Sequence, residues 1–204
     1  MPATDAAPGI VLASASAARA AMLRAAGVAV EIDPARIDES EVKRSLGAEN
    51  ATTAAIAETL AELKAVAVSR RRPGRLVLGA DQMLDCEGMR FDKPADRAAA
   101  RDQLLRLGGR RHELVSAAVA VRDGERLWHH VDHARLTMRS LSAEFVDAYL
   151  DRAGEAALQS VGAYQLEGLG AQLFRKIEGD YFTILGLPLL PLLEFLRGHG
   201  VVPR

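Results

Sequence analysis

The chain of 204 residues has one cysteine, Cys86. No intrachain disulfide can form, a cysteine zinc cluster is excluded, and the pattern fits a reducing cytoplasm. Neither sign of charge dominates: 26 Lys and Arg stand against 27 Asp and Glu, for a net charge of −1. There is thus no overall basic field for nucleic acid or an anionic membrane. Long apolar runs are absent, and the longest are too short to span a bilayer. Residues 1–9 lack a basic n-region and an apolar h-region, so they read as a frayed tail rather than a secretory signal. Internal repeats and low-complexity linkers are also missing. What is present is an ordinary globular balance, 49% hydrophobic and 26% charged. That length suits one large domain, residues 10–204, or two small lobes sharing a core. A second lobe fits about 115–164.

Short apolar runs alternate with helical periods, which predicts an α/β fold with a mixed central sheet flanked by helices. Residues 10–13 read as a first strand, 14–26 as a helix stopped by Gly27, and 28–32 as a second strand. The polar stretch 33–50 carries a short helical piece at 40–46. Thr52 or Thr53 caps a long helix reaching Arg70, with Ile56, Leu60, Leu63 and Ala67 on one face. A hairpin turned near Glu87-Gly88 follows, and Pro94 opens a helix to Leu107. Residues 114–121 and 126–138 pair through Asp123-Gly124. Ser142 caps a helix to Asp151, a glycine-rich stretch with short strands covers 162–180, and 187–197 is the closing helix.

The most informative stretch is Leu76-Val77-Leu78-Gly79-Ala80-Asp81-Gln82. A continuous apolar run of this kind reads as a buried strand, and Gly79 and Ala80 leave room for close approach of another group. Asp81 is then placed at a strand end, where open α/β sheets bind ligands. Taken alone, a solvated acid in a strand-end turn is the simpler reading.

Ser14 and Ser16 stand where a helix begins, able to cap free N–H groups or to share them with an anion. Between Ile10 and Val30 there is no acid, yet Arg19 falls in the first helical turn, against the dipole unless an anion is near. Ser16 as a plain N-cap with a solvated Arg19 fits equally well. Lys93, directly before Pro94, carries the same argument, with pairing to Asp92 or Asp96 as the simpler alternative. Lys64 sits beside the apolar stripe of the long helix, where a lysine ordinarily snorkels to water and less often reaches a buried anion. Asp38-Glu39 could join Asp81 around a hard divalent cation or simply face solvent. His129 and His133 share a strand face but lie roughly 13 Å apart, too far to share one ion. Cys86 has no flanking base and reads as inert.

Taken in order, Leu12-Ala13-Ser14-Ala15-Ser16, Gly79-Ala80-Asp81, Lys93-Pro94-Ala95-Asp96, Gly162-Ala163-Tyr164 and Ile177-Glu178-Gly179-Asp180-Tyr181 with Gly186-Leu187-Pro188 resemble the Maf family of nucleoside triphosphate pyrophosphatases. The resemblance covers about Ile10 to Arg197. It implies a two-lobed, Maf/ITPase-like fold around a cleft, usually dimeric. The activity it implies is hydrolysis of a nucleoside triphosphate to the monophosphate and pyrophosphate with Mg²⁺ or Mn²⁺. Asp81 would be the catalytic acid or base, close to metal, with Glu39 helping to hold the ion. Ser14, Ser16, Arg19, Lys64 and Lys93 would serve the triphosphate. Gln82, together with Glu167 in Tyr164-Gln165-Leu166-Glu167-Gly168, resembles the branch acting on 7-methyl-GTP. A carboxylate can accept from guanine N1–H and the exocyclic amine together. The dTTP/UTP branch carries Thr and Gln at these two places. Ala18 departs from both branches, which have arginine or an aromatic residue there, so a dTTP/UTP enzyme remains an alternative. The family's association with cell division leaves a nucleotide-binding regulator as another.

Overall fold

Six α-helices among the described residues begin where a hydroxyl or carboxylate takes a free N–H of the first turn. The computed structural model describes residues 9–204, so residues 1–8 of the expected tail lie outside the described residues. Ser16 caps α1 (Ala17–Ala25), Asp38 caps α2 (Glu39–Ala48) and Thr52 caps α3 (Thr53–Ser69). Asp96, Ser142 and Asp180 do the same for α4 (Arg97–Leu107), α5 (Ala143–Ala153) and α6 (Tyr181–Ile184). The last helix, α7, is Leu189–Gly198. No helix among the described residues is long and apolar enough to cross a membrane.

The strands are β1 (Ile10–Leu12), β2 (Val30–Ile32), β3 (Val77–Cys86), β4 (Met89–Phe91), β5 (Arg111–Arg122), β6 (Glu125–Met138) and β7 (Phe174–Glu178). They form a seven-stranded sheet in the order β2-β1-β3-β5-β6-β7, with β4 on β3. β1 runs parallel to β2 and β3, whereas β4 and β7 are antiparallel to β3 and β6, so the sheet is mixed.

The described chain divides into two compact units, and β3, β5 and β6 each contribute residues to both. The first holds residues 9–81, Ser116–Asp132 and Gly186–Arg204. Its core includes Ile10, Leu12, Leu23, Ile56, Leu60 and Leu78, all fully buried. Trp128 of β6 stacks on Phe195 of α7. The second unit holds Gln82–Val115 and His133–Leu185. Its core gathers Leu84, Phe91, Leu104, Leu107, Leu136, Met138, Val146 and Leu150.

Three local expectations shift. Asp81 does not end its strand: β3 continues to Cys86, because its second half pairs with β4, Leu84 opposite Phe91 and Cys86 opposite Met89. The acid nevertheless stands past the end of β1, whose pairing with β3 covers only Val77 and Leu78. Pro94 does not open α4, which starts at Arg97 on the Asp96 cap, so Lys93 does not face a helix dipole. On α3 the buried face is turned from the expected stripe. Leu63 is exposed, while Ala57, Ala61, Lys64 and Ala65 join Ile56 and Leu60 inside.

Candidate active site

Three small residues, Ala57, Ala61 and Ala65, follow one another at a four-residue spacing on α3 and let the helix lie close to β3. Gly79 completes that approach. A Cβ built on it would fall 2.0 Å from the Ala61 carbonyl oxygen and 2.8 Å from the Ala65 nitrogen. The close contact carries Lys64, on the same face of α3, into reach of Asp81, two residues along β3. Lys64 Nζ lies 2.6 Å from Asp81 Oδ1 and 2.8 Å from Glu39 Oε1 at the start of α2. Lys64 is therefore a buried lysine on an anion pair rather than a snorkelling one.

Asp81 is 5% exposed. Its Oδ2 is the one buried carboxylate oxygen among the described residues without a hydrogen-bond partner. Such a group is ordinarily paired, so an open one marks a place for a ligand, ion or water. Glu39 is only half-buried. Burial works to raise its pKa, but the hydrogen bond and charge of Lys64 leave it below the usual carboxylate value.

The turn after β1 joins the cluster. Ser16 accepts from the Arg19 nitrogen as the α1 cap, and Ser14 Oγ accepts from the Ser16 nitrogen. Arg19 is buried, and its Nη1 donates to Ser14 Oγ and to the Ala80 carbonyl. Burial pulls the Arg19 pKa down, and the charges of Asp81 and Glu39 oppose that pull. The first unit thus brings together Ser14, Ser16, Arg19, Glu39, Lys64 and Asp81. Arg19 and Lys64 balance Asp81 and Glu39, two charges against two.

Gln82, Lys93 and Glu167 belong to the second unit. Gln82 Nε2 donates to the carbonyls of Thr183 and Ile184, capping the end of α6. Lys93 is exposed in the stretch between β4 and α4. There the Asp92 carbonyl accepts from Gln103 Nε2, which ties that stretch to α4. Glu167 is exposed on the turn in which the Gly168 nitrogen donates to the Gln165 carbonyl.

Residue reading missed what anchors that turn. His112 Nε2 lies 2.8 Å from the Tyr164 hydroxyl, and both rings pack on Phe174. Gly162, at φ 78°, passes under the Tyr164 ring, where a Cβ would come within 2.7 Å of a ring carbon. A lone histidine in an apolar strand gives no sequence signal of such a partner. The other histidines stand apart: His129 pairs with Glu58 and His133 with Glu113. Cys86 is buried, which pushes its thiol pKa up, away from thiolate chemistry.

A mixed α/β sheet with an ion cluster past the end of one of its parallel strands is an architecture that places ligands at strand ends. The chain matches the family described as Maf-like protein over residues 9–199. A nucleoside triphosphate pyrophosphatase of Paramagnetospirillum magneticum is 63% identical over 190 residues, covering 93% of this chain and 98% of its own. A nucleoside triphosphate pyrophosphatase of Granulibacter bethesdensis is 54% identical over 190 residues, 93% of this chain and 96% of its own. A 7-methyl-GTP pyrophosphatase of Mesorhizobium japonicum is 54% identical over 193 residues, 95% of this chain and 97% of its own. The chain belongs to the Maf family.

Proposed function

We propose that this protein hydrolyses a nucleoside triphosphate to the monophosphate and pyrophosphate, with Asp81 at the centre of the reaction. The observation that carries the reading is the Asp81–Lys64–Glu39 cluster, with Asp81 and Lys64 buried and one Asp81 carboxylate oxygen unpaired. Three relatives that span nearly the whole chain and bear pyrophosphatase names support it.

Water attacks the α-phosphorus. Its oxygen forms the new P–O bond, the bond from the α-phosphorus to the bridging oxygen breaks, and pyrophosphate leaves with that oxygen. Asp81 Oδ2, which has no partner of its own, would orient the water and take its proton, or hold the ion that acidifies it. Lys64 and the Ser14 hydroxyl face the phosphoryl oxygens on which charge builds. Lys93 is assigned to the triphosphate by family resemblance.

The donor set fits a divalent cation, Mg²⁺ or Mn²⁺. No group of three His, Cys, Asp or Glu among the described residues could hold an ion alone. One or two carboxylates plus substrate phosphates are a normal shell for Mg²⁺. The neutral sum of the four charges also leaves a polyanion without compensation. Asp81 and Glu39 would hold the ion, which would supply positive charge to the phosphates and acidify bound water.

For the base, 7-methyl-GTP is the favoured substrate. Glu167 would accept from the guanine edge, and the positive charge of the methylated ring would strengthen that contact. The same reading carries a homodimer in the cytoplasm and a link to cell division, the first testable by sedimentation equilibrium.

The test is pyrophosphate release from 7-methyl-GTP, GTP, dTTP and UTP with Mg²⁺, Mn²⁺ or EDTA. Metal-dependent turnover favouring 7-methyl-GTP is the expected result. A pyrimidine preference keeps the enzyme and discards the base assignment. No turnover of any nucleotide by folded protein overturns the reading and leaves a nucleotide-binding regulator.

A further inference from the structure

Arg19 sits in the first turn of α1, where a cation opposes the helix dipole, and the family resemblance gives it to the triphosphate. Its guanidinium is already engaged inside the protein. Nε donates to the Gly186 carbonyl at 2.8 Å, while Nη1 donates to the Ala80 carbonyl at 2.9 Å and to Ser14 Oγ at 3.1 Å. The three acceptors come from three separate stretches of the first unit: the turn after β1, the middle of β3, and the turn ahead of α7. Ala80 is bonded directly to Asp81. A rigid fork of donors that stays charged when buried is what three such acceptors require, and a lysine could not span them.

We infer that Arg19 is a positioning residue: it fixes the backbone of Asp81 and the hydroxyl of Ser14 before any nucleotide arrives. The inference rests on the pyrophosphatase reading and gives Arg19 a different place in it. On that reading the charge toward the triphosphate would come from Lys64 and from a divalent cation held by Asp81 and Glu39. Arg19 instead holds Asp81 in register, so that Oδ1 stays on Lys64 and Oδ2 stays open. The Gly186 bond carries the same tie to the loop ahead of α7, where Gly186-Leu187-Pro188 forms one of the family-like motifs.

Arg19→Lys keeps the charge and loses the fork. With that variant, kcat should fall roughly a hundredfold, the size of effect that follows when a reacting group is misplaced by about an ångström. Affinity for an α,β-methylene triphosphate analogue with Mg²⁺, read by calorimetry, should stay near the wild-type value. In the nucleotide-free variant, amide hydrogen exchange should speed up in peptides covering residues 79–82 and 185–188, which a residue that only touches substrate would leave unchanged. Affinity lost by the same factor as kcat, with exchange unaltered, overturns the inference.

Should the variant fail to fold, the wild-type protein decides. The Arg19 Nε–H signal in a nitrogen-15 spectrum should be protected from solvent without nucleotide and stay unshifted when the analogue is added. A signal that exchanges freely and gains protection only with the analogue overturns the inference. A wild type that releases no pyrophosphate fails the parent reading alone, because the exchange and Nε–H measurements need no turnover.

Discussion

Asp81 has two carboxylate oxygens in different circumstances, one on Lys64 and one with no partner. Asp81→Asn replaces an acceptor-only group by one with an amide that must find acceptors of its own. The rate of pyrophosphate release should fall by about two to four orders of magnitude, the range of a general-base contribution. Circular dichroism should show an unchanged fold, and a near wild-type rate would remove Asp81 from the reaction. Glu167→Gln should lower the ratio of kcat/KM for 7-methyl-GTP over UTP, because an amide cannot accept from both guanine donors. An unchanged ratio would take Glu167 out of base recognition. At this scale the residue types were legible: an acid after two small residues, a lysine on a helix, an acid in a loop. Their partners were not. Arg19 and Gln82 bond main-chain carbonyls of Ala80, Gly186, Thr183 and Ile184, and a carbonyl has no signature in sequence.

Between elements, the contact of α3 with β3 governs the site. Gly79→Ala would push a methyl group into the Ala61 carbonyl, which belongs to the helix backbone and cannot turn aside. The change should cost about 1–3 kcal/mol or more, as overpacking does, and should lower the urea midpoint at constant m-value. Activity should fall as well, since α3 carries Lys64. A variant with wild-type stability and rate would show that the approach is not needed. The same contact explains why periodicity missed the buried face of α3. Hydrophobicity favours Leu63 over Lys64, but a close-packed seam needs alanines facing the strand. That choice turns Lys64 inward, where Asp81 and Glu39 receive its charge. Likewise Pro94 is a fair helix opener by composition, but the Asp96 carboxylate, accepting from the Ala99 nitrogen, sets the start of α4 later.

For the whole molecule, acid should unfold the protein in two steps of titration. His112 is buried, and burial alone lowers its pKa from 6.5 to about 4. The unfolded chain therefore takes up this proton first. Stability is full above pH 6.5, declines as pH falls toward 4 and is flat below, with a total loss of about 3 kcal/mol from this group. Urea denaturation at pH 7.5 and 4.5 should show the difference, and His112→Phe should flatten that window. Unaltered pH dependence in the variant would clear His112 of it. Asp33 works in a lower window. Hydrogen bonds from Arg71 and Arg72 bring its pKa from 3.8 to about 2, so its contribution is present above 3.8 and disappears as pH falls toward 2. Being near the surface, it should matter less, and more weakly still in high salt.

Local rules sufficed for most of the elements up to α5, the caps at Ser16, Thr52 and Ser142, the hairpins, and the family motifs, because each depends on residues adjacent or one helical turn apart, but they did not yield α6. Composition sufficed to exclude disulfides and an overall basic field. The strand order, with β3 between β1 and β5, needed the folded chain, as did the meeting of Lys64, Asp81 and Glu39 from three elements. So did the engagement of Arg19 on Ser14, Ala80 and Gly186, up to 167 residues away. Those contacts arise from close packing and from the need to satisfy buried charge and main-chain carbonyls, which act through space and not along the chain.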